Sequence, residues 1–225
     1  KKIEGNYERT FGTLEDVDLA MSNAKIGISK SGHIQWLRQK IENLLEKLAP
    51  NSKISKIFII GNGHFDWSDE QGAHQLALFL EISQIFDSKI VFQEPNCSEA
   101  ELEWLRTSKT CKNLEIRTNF DLKMDLIDEN DPRNVSILGL IHGEHPIFHG
   151  LLHHNWPILE KNPRKLIVIG NDYGSMHWEM IRKIREENFR IDEFVEKSRI
   201  ERFPERYETM NNAFRDTVIM SAKIE

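Results

Sequence analysis

A chain of 225 residues that is 39% hydrophobic can bury one sizeable core, and 36 acidic against 30 basic residues set its net charge at -6. That balance excludes a domain built chiefly to coat nucleic acid or an anionic membrane, so neither is an expected partner. The two cysteines form no disulfide framework, no apolar run reaches 18 residues, and the charged opening KKIEGNYERT precedes no signal-like core. A soluble protein of the cytoplasm, the nucleus or both is expected.

Residues 1–52 carry no strand signal and hold two helical patterns, over residues 14–24 and 33–48, parted by the polar turn Ser29-Lys30-Ser31-Gly32. In the second, Ile34, Leu37, Ile41, Leu44, Leu45 and Leu48 recur at helical spacing and form one apolar stripe. The stripe must dock, either on this chain's own sheet or helices or on a partner or second copy. From residue 53 the period changes: a strand over 56–60, a helix from about 69 to 86, a strand over 89–93, then a short helix opened by Ser98 with Glu101 three residues on, the spacing of a capping box. A strand over 114–118, a charged linker over 121–134, a strand over 135–141, a helix over 146–159, a strand over 165–169 and a helix over 175–187 follow. Two weaker strand candidates cover 190–195 and 217–221. This alternation predicts βαβ units and an α/β, Rossmann-like fold: a mostly parallel sheet with helices on both faces. The domain spans 53–225, with the helical segment 1–52 packed on it.

The stretches KIFIIGNGH and KLIVIGNDY repeat one outline, a buried strand breaking into Gly-Asn. Ligands of open α/β sheets sit beyond the carboxyl ends of the strands. A crevice lined by Gly61, Asn62, Gly63, Glu94, His142, Gly170 and Asn171 is therefore the expected binding site. The loop Gly61-Asn62-Gly63-His64-Phe65-Asp66 either admits a nucleotide or is a structural turn. It lacks the third glycine of G-x-G-x-x-G, and Asp66, Asp69 and Glu70 crowd the phosphate position with negative charge. S-adenosylmethionine would suffer less there than a pyrophosphate, with Glu94 placed to accept from ribose hydroxyls. His142 either meets a ligand, as a hydrogen-bonding or acid-base group, or pins a loop through a backbone carbonyl.

His142, His145, His149, His153 and His154 fall close together, and His149 and His153 are one helical turn apart. Convergence of His145, His149 and His153 on zinc or haem iron is one reading; a solvated polar face is the default, and no metal site is assigned. Asn155 and Trp156 read as packing and capping. Basic residues after 181 are interleaved with acids, as on an ion-paired face. No G-x-S-x-G, P-loop, H-E-x-x-H or C-x-x-C motif occurs, and no catalytic residue is assigned.

Taken in order, IFIIGNGHF with AHQLALFLEI, VFQEP, IHGEHPIFHGLLHHNW, LIVIGNDY and RFPERYETMNNAFRDTVI resemble the Sensitivity to Red Light Reduced (SRR-like) domain family, over about residues 53–220. The resemblance implies a Rossmann-like α/β protein tied to circadian timing and light signalling in plants, to regulation of haem biosynthesis in animals and to cytoskeletal phenotypes in fungi, with no enzymatic activity generally assigned. The family's small-residue loop falls on Gly61, Gly63 and Phe65, its Asp-Pro on Glu94-Pro95, and its closing Asp-Thr on Asp216-Thr217. Its His-Cys pair falls on His142-Gly143 and its Tyr-Asn pair on Phe148-His149, so a thiol and a phenol are missing here. The expectation is a non-catalytic regulatory protein that acts through a protein partner. The alternative is a methyltransferase-like enzyme holding a small nucleoside cofactor in the crevice. The sequence itself names no cofactor.

Overall fold

Thr13 opens the first helix with a reciprocal cap: its hydroxyl accepts the Asp16 N–H while the Asp16 carboxylate accepts the Thr13 N–H at 2.8 Å. Helix α1 (Leu14–Ser31) ends on Gly32, whose left-handed backbone suits glycine, and α2 (His33–Leu48) follows at once. The polar stretch expected as a turn is thus the last turn of α1. The computed structural model describes residues 9–48, 51–111, 113–175, 181–204 and 206–223.

Strands β1 (Lys53–Ile60), β2 (Lys89–Gln93), β3 (Leu114–Arg117), β4 (Asn134–Leu140) and β5 (Leu166–Asn171) pair in parallel. β6 (Ser198–Arg202) and β7 (Thr217–Ala222) complete the sheet antiparallel, in the order β3-β2-β1-β4-β5-β7-β6. The chain runs outward from β1 to β3 and returns to lay β4 beside β1. The strand order therefore reverses between β1 and β4, and this is where a crevice forms in such sheets.

Between the strands lie α3 (Gln71–Phe86), α4 (Glu99–Thr107) and α5 (His145–Leu159), followed by α6 (Arg182–Glu187) and α7 (Phe189–Glu196). Successive strand residues point to opposite faces. Ile57 and Ile59 of β1 and Ile167 and Ile169 of β5 bury with α1, α2, α3 and α4 on one face; Phe58, Ile60, Leu138, Leu140 and Val168 bury with α5 and α7 on the other. The α2 stripe joins the first of these cores, with Leu37 and Ile41 fully buried, while the Leu48 side chain lies outside the described residues. The fold is α/β, mostly parallel and Rossmann-like, with helices on both faces.

Residues 190–195, expected as a strand, form most of α7. Ile191 and Phe194 recur at helical rather than strand spacing and bury against α5, so the helical period prevails. The helix expected over 175–187 is described only as α6, since residues 176–180 lie outside the described part. The charged linker has no helix or strand before Asn134, where β4 begins, yet Met124, Leu126 and Ile127 are buried in it. Asn155 of α5, itself fully buried, holds it there: its Oδ1 accepts the Leu126 N–H at 2.9 Å and its Nδ2 donates to the Met124 carbonyl at 2.9 Å. Among the described residues no helix is long and apolar enough to cross a membrane.

Candidate functional site at the carboxyl edge of the sheet

Beyond Ile60 the backbone turns through Gly61 and Gly63, with φ of 63° and 71°, a region open to glycine at little cost. The Gly61 N–H donates to the Gln93 carbonyl at 3.0 Å and so continues the β1–β2 ladder for one more residue. The next amides go to carboxylates, Glu94 and Glu101 buried and Glu70 half-buried. Gly63 N–H donates to Glu94 Oε2 at 2.9 Å and Asn96 N–H to Glu94 Oε1 at 3.0 Å. Phe65 N–H donates to Glu101 Oε1 and Ser98 N–H to Glu101 Oε2, both at 2.6 Å. Asp66 N–H and Trp67 N–H donate to Glu70 Oε2 at 3.1 and 3.3 Å. These are the groups that would cradle a phosphate, and the protein's own acids already fill them.

Asp66 is fully buried and accepts the Gly12 N–H at 2.7 Å and the Arg9 guanidinium. Burial opposes its ionisation, but the Gly12 N–H, Glu70 and Arg9 together hold its carboxyl below the usual range. Burial, and then the adjacent Asp66, push Glu70 up. The negative charge expected to crowd this loop is therefore tied to the segment preceding α1. His64, Asp66 and Glu101 bring three ligand-type atoms within 4.8 Å of one another. Every carboxylate oxygen of Asp66 and Glu101 already accepts a hydrogen bond, and a cation here would meet the Arg9 guanidinium. That donor set suits its present N–H partners better than a metal.

At the end of β4, His142 has φ of 56°, unusual for a residue with a side chain. Its N–H donates to Asn171 Oδ1 at 2.8 Å, and Asn171 Nδ2 donates to the Gly143 carbonyl at 3.0 Å, so Asn171 fastens the end of β5 to the turn after β4. Gly170 sits where a Cβ would lie 2.9 Å from the Leu140 carbonyl, which explains the glycine. The His142 ring has partners at both nitrogens: Nε2 donates to the Arg215 carbonyl at 2.9 Å, and Nδ1 faces Gln71 Oε1 at 2.8 Å. Gln75 adds a parallel tie, donating from Nε2 to the Ala213 carbonyl at 2.9 Å.

Gly61, Asn62, Gly63 and His142 line one open cavity of about 320 Å³, together with His64, Gln71 and Gln75. Glu94 stands behind Gly63, and Gly170 and Asn171 lie at the next strand end, outside that lining. The five histidines diverge. His149 and His153 stack on each other at 5.8 Å, with Phe189 edge-on to His149; His154 faces Asp125 at 3.0 Å; and His145 lies beside the Tyr173 ring. Sequence reasoning missed Gln71 and Gln75, which carry no local signal. Glu101 was legible as a cap, but not as the acceptor for Phe65.

The SRR1 domain model matches residues 37–221, most of the chain. The chain belongs to the SRR1 domain family. The match begins inside α2 and ends one residue short of the end of β7, so it takes in all seven strands of the SRR1 sheet but for Ala222. No curated protein matches the sequence. Among solved structures the chain is similar to an uncharacterized protein from Listeria monocytogenes serotype 4b, at 14% identity and a TM-score of 0.37, covering 81% of this chain and 67% of that one. It is similar to a TDP-rhamnose 3'-O-methyltransferase of calicheamicin biosynthesis at 11% identity and a TM-score of 0.43, covering 81% and 77%. It is also similar to a geranyl diphosphate C-methyltransferase from Streptomyces coelicolor A3(2) at 10% identity and a TM-score of 0.41, covering 100% and 94%. These likenesses carry no argument about function.

Proposed function

We propose that this SRR1 domain protein is a non-catalytic regulator that acts by binding a protein partner. The observation that supports this reading is the internal engagement of the groups best placed for chemistry. Both Glu94 oxygens accept backbone N–H groups, and both His142 nitrogens have partners within the protein. A general base or a ribose-binding carboxylate turns its lone pairs to the substrate, whereas each Glu94 oxygen already commits one to the backbone and so orients the acid as scaffold. The expected setting is the cytoplasm, the nucleus or both, with circadian, haem-regulatory and cytoskeletal roles proposed along with the family.

The second reading is a nucleoside-cofactor enzyme of methyltransferase-like kind. The cavity beside Gly61 and His142 favours it, since it lies at the strand-order reversal. Isothermal titration of the full chain with S-adenosylmethionine, NAD, ATP and haem separates the two. Absence of binding at high micromolar ligand supports the regulator. Saturable binding that Glu94→Ala and His142→Ala abolish, with folding retained, overturns it.

A further inference from the structure

Residues 206–216 connect β6 to β7 without helix or strand and cross the carboxyl edge of the sheet as a strap. Its attachments are polar on one side and aromatic on the other. The polar side is the pair already described, with Ala213 and Arg215 giving their carbonyls to Gln75 and His142. The second of these bonds joins the linings of two cavities: His142 lines the one of about 320 Å³ beside Gly61, and Arg215, with Phe214 and Asp216 of the strap, walls another of about 550 Å³. Like His142, Asp216 has positive φ, 53°, so both ends of this junction hold a side-chain-bearing residue in the left-handed region.

The aromatic side closes on two buried histidines. His33, at the start of α2, is fully buried, and no side chain hydrogen-bonds either ring nitrogen; the Ser31 and Pro204 backbone groups are the polar groups that bear on it among the described residues. Its ring lies 5.3 Å from that of Tyr207, 5.4 Å from Phe214 and 6.2 Å from Phe203 just before the strap. His74 of α3 is 2% exposed and meets the Tyr207 hydroxyl through Nδ1 at 2.6 Å. One phenol therefore sits between two imidazoles from different helices. Gly27 of α1 admits the same phenol, since a Cβ there would lie 2.8 Å from the Tyr207 oxygen.

A histidine in such surroundings is held neutral, because its charged form would lose its hydration without gaining a negatively charged partner. Burial lowers the pKa of both rings below the ordinary 6.5; the Ser31 and Pro204 backbone groups at His33, and that of Ser68 at His74, only partly oppose it. Among the described residues no charged side chain of α1 or α2 bears on His33, and the one titratable strap group facing it is the neutral Tyr207 phenol, beside the Phe214 ring; on His74, Tyr207 from the strap and the Ser68 backbone bear. On the outer side, Lys40 pairs with Glu201, Arg202 with Asp172, and Arg215 with Asp216. At His142 the facing groups are Gln71, Gln75, Asn171 and the Arg215 carbonyl.

We propose that the 206–216 strap is an acid-released latch: protonation of His33 and His74 expels Tyr207 and Phe214 from their cage, lifts the Ala213 and Arg215 carbonyls from Gln75 and His142, and joins the two cavities into one groove. The sign follows from linkage. A histidine whose folded pKa is depressed contributes stability at pH above its unfolded value of 6.5, and that contribution is lost as pH falls below it, since the released state takes up the proton more readily. Release is local because the strands are paired independently of the strap.

The test is hydrogen–deuterium exchange of the full chain from pH 7 to pH 5, corrected for intrinsic exchange rates. Peptides covering 206–216 are expected to lose protection by roughly tenfold or more while β1 and β4 keep theirs, a fall of about 1.4 kcal/mol or more in the free energy of local opening. The double variant His33→Phe with His74→Gln, which keeps a ring and a neutral polar group, is expected to hold the strap protected throughout. Protection that is flat with pH in the wild type, or lost equally in the variant, overturns the latch. If the variant does not fold, nuclear magnetic resonance titration of the wild type replaces it. His33 and His74 ring signals that move together with strap amides support the latch, and strap amides that move with neither overturn it.

Discussion

Glu94 holds Gly63 across 31 residues of sequence, through a 2.9 Å hydrogen bond from the glycine N–H to the carboxylate. The acid at the end of β2 thus acts as an internal anion for the loop after β1, and it is 5% exposed. Glu94→Gln keeps one acceptor oxygen but turns an NH₂ toward an N–H. We expect a loss of about 1–3 kcal/mol, seen as a lower urea midpoint at unchanged slope. An unchanged midpoint would show that the carboxylate does not hold the loop.

Gly139 on β4 leaves room for the Phe79 ring of α3: a Cβ there would lie 2.3 Å from it. Gly139→Ala is expected to cost about 1–3 kcal/mol by overpacking. Pairing it with Phe79→Leu should recover part of that loss, and a double-mutant cycle of chemical denaturation reads the coupling. Strictly additive effects would place the strain elsewhere.

Burial and the neighbouring Glu101, Glu94 and Asp66 raise the Cys97 thiol well above its usual range, and burial raises Cys111 as well. The thiolate is the reactive form, so both cysteines should be slow toward a disulfide reagent in the native protein and fast in urea. Rapid native-state labelling of Cys97 would mean that its surroundings open readily.

Tyr173 and Tyr207 are both pushed up to about 12 by burial. For an acid whose folded pKa is raised, stability is lost as pH climbs above the ordinary value of 10 toward the folded one. The phenolate absorbance of the native protein should therefore lag behind that of the unfolded chain, and its appearance should coincide with loss of tertiary structure. A native titration near 10 would show these phenols to be open to water.

The two Gly-Asn strand ends could be read from sequence because a short apolar run and a glycine at its end have few other meanings. Residues 190–195 were misread because Ile191, Phe194 and Val195, in a run of six, satisfy a strand or a helix until α5 supplies the surface they pack on. The site was legible as a list of residues, not as a set of bonds. Gln71 and His142 lie 71 residues apart, Gln75 and Ala213 138, and His142 and Arg215 73, and an irregular segment leaves no period to detect.

The placement of β7 between β5 and β6 makes the edge of the sheet depend on one strand. Both neighbours pair with β7 and not with each other, so β6 reaches the sheet only through residues 217–222, whether these dock on β5 first or together with β6. Until then the edge of β5 presents an open row of backbone donors and acceptors, a surface on which a second nascent chain could nucleate. Substitutions that slow docking of Val218 or Met220 should thus reduce the yield of folded protein more than its equilibrium stability.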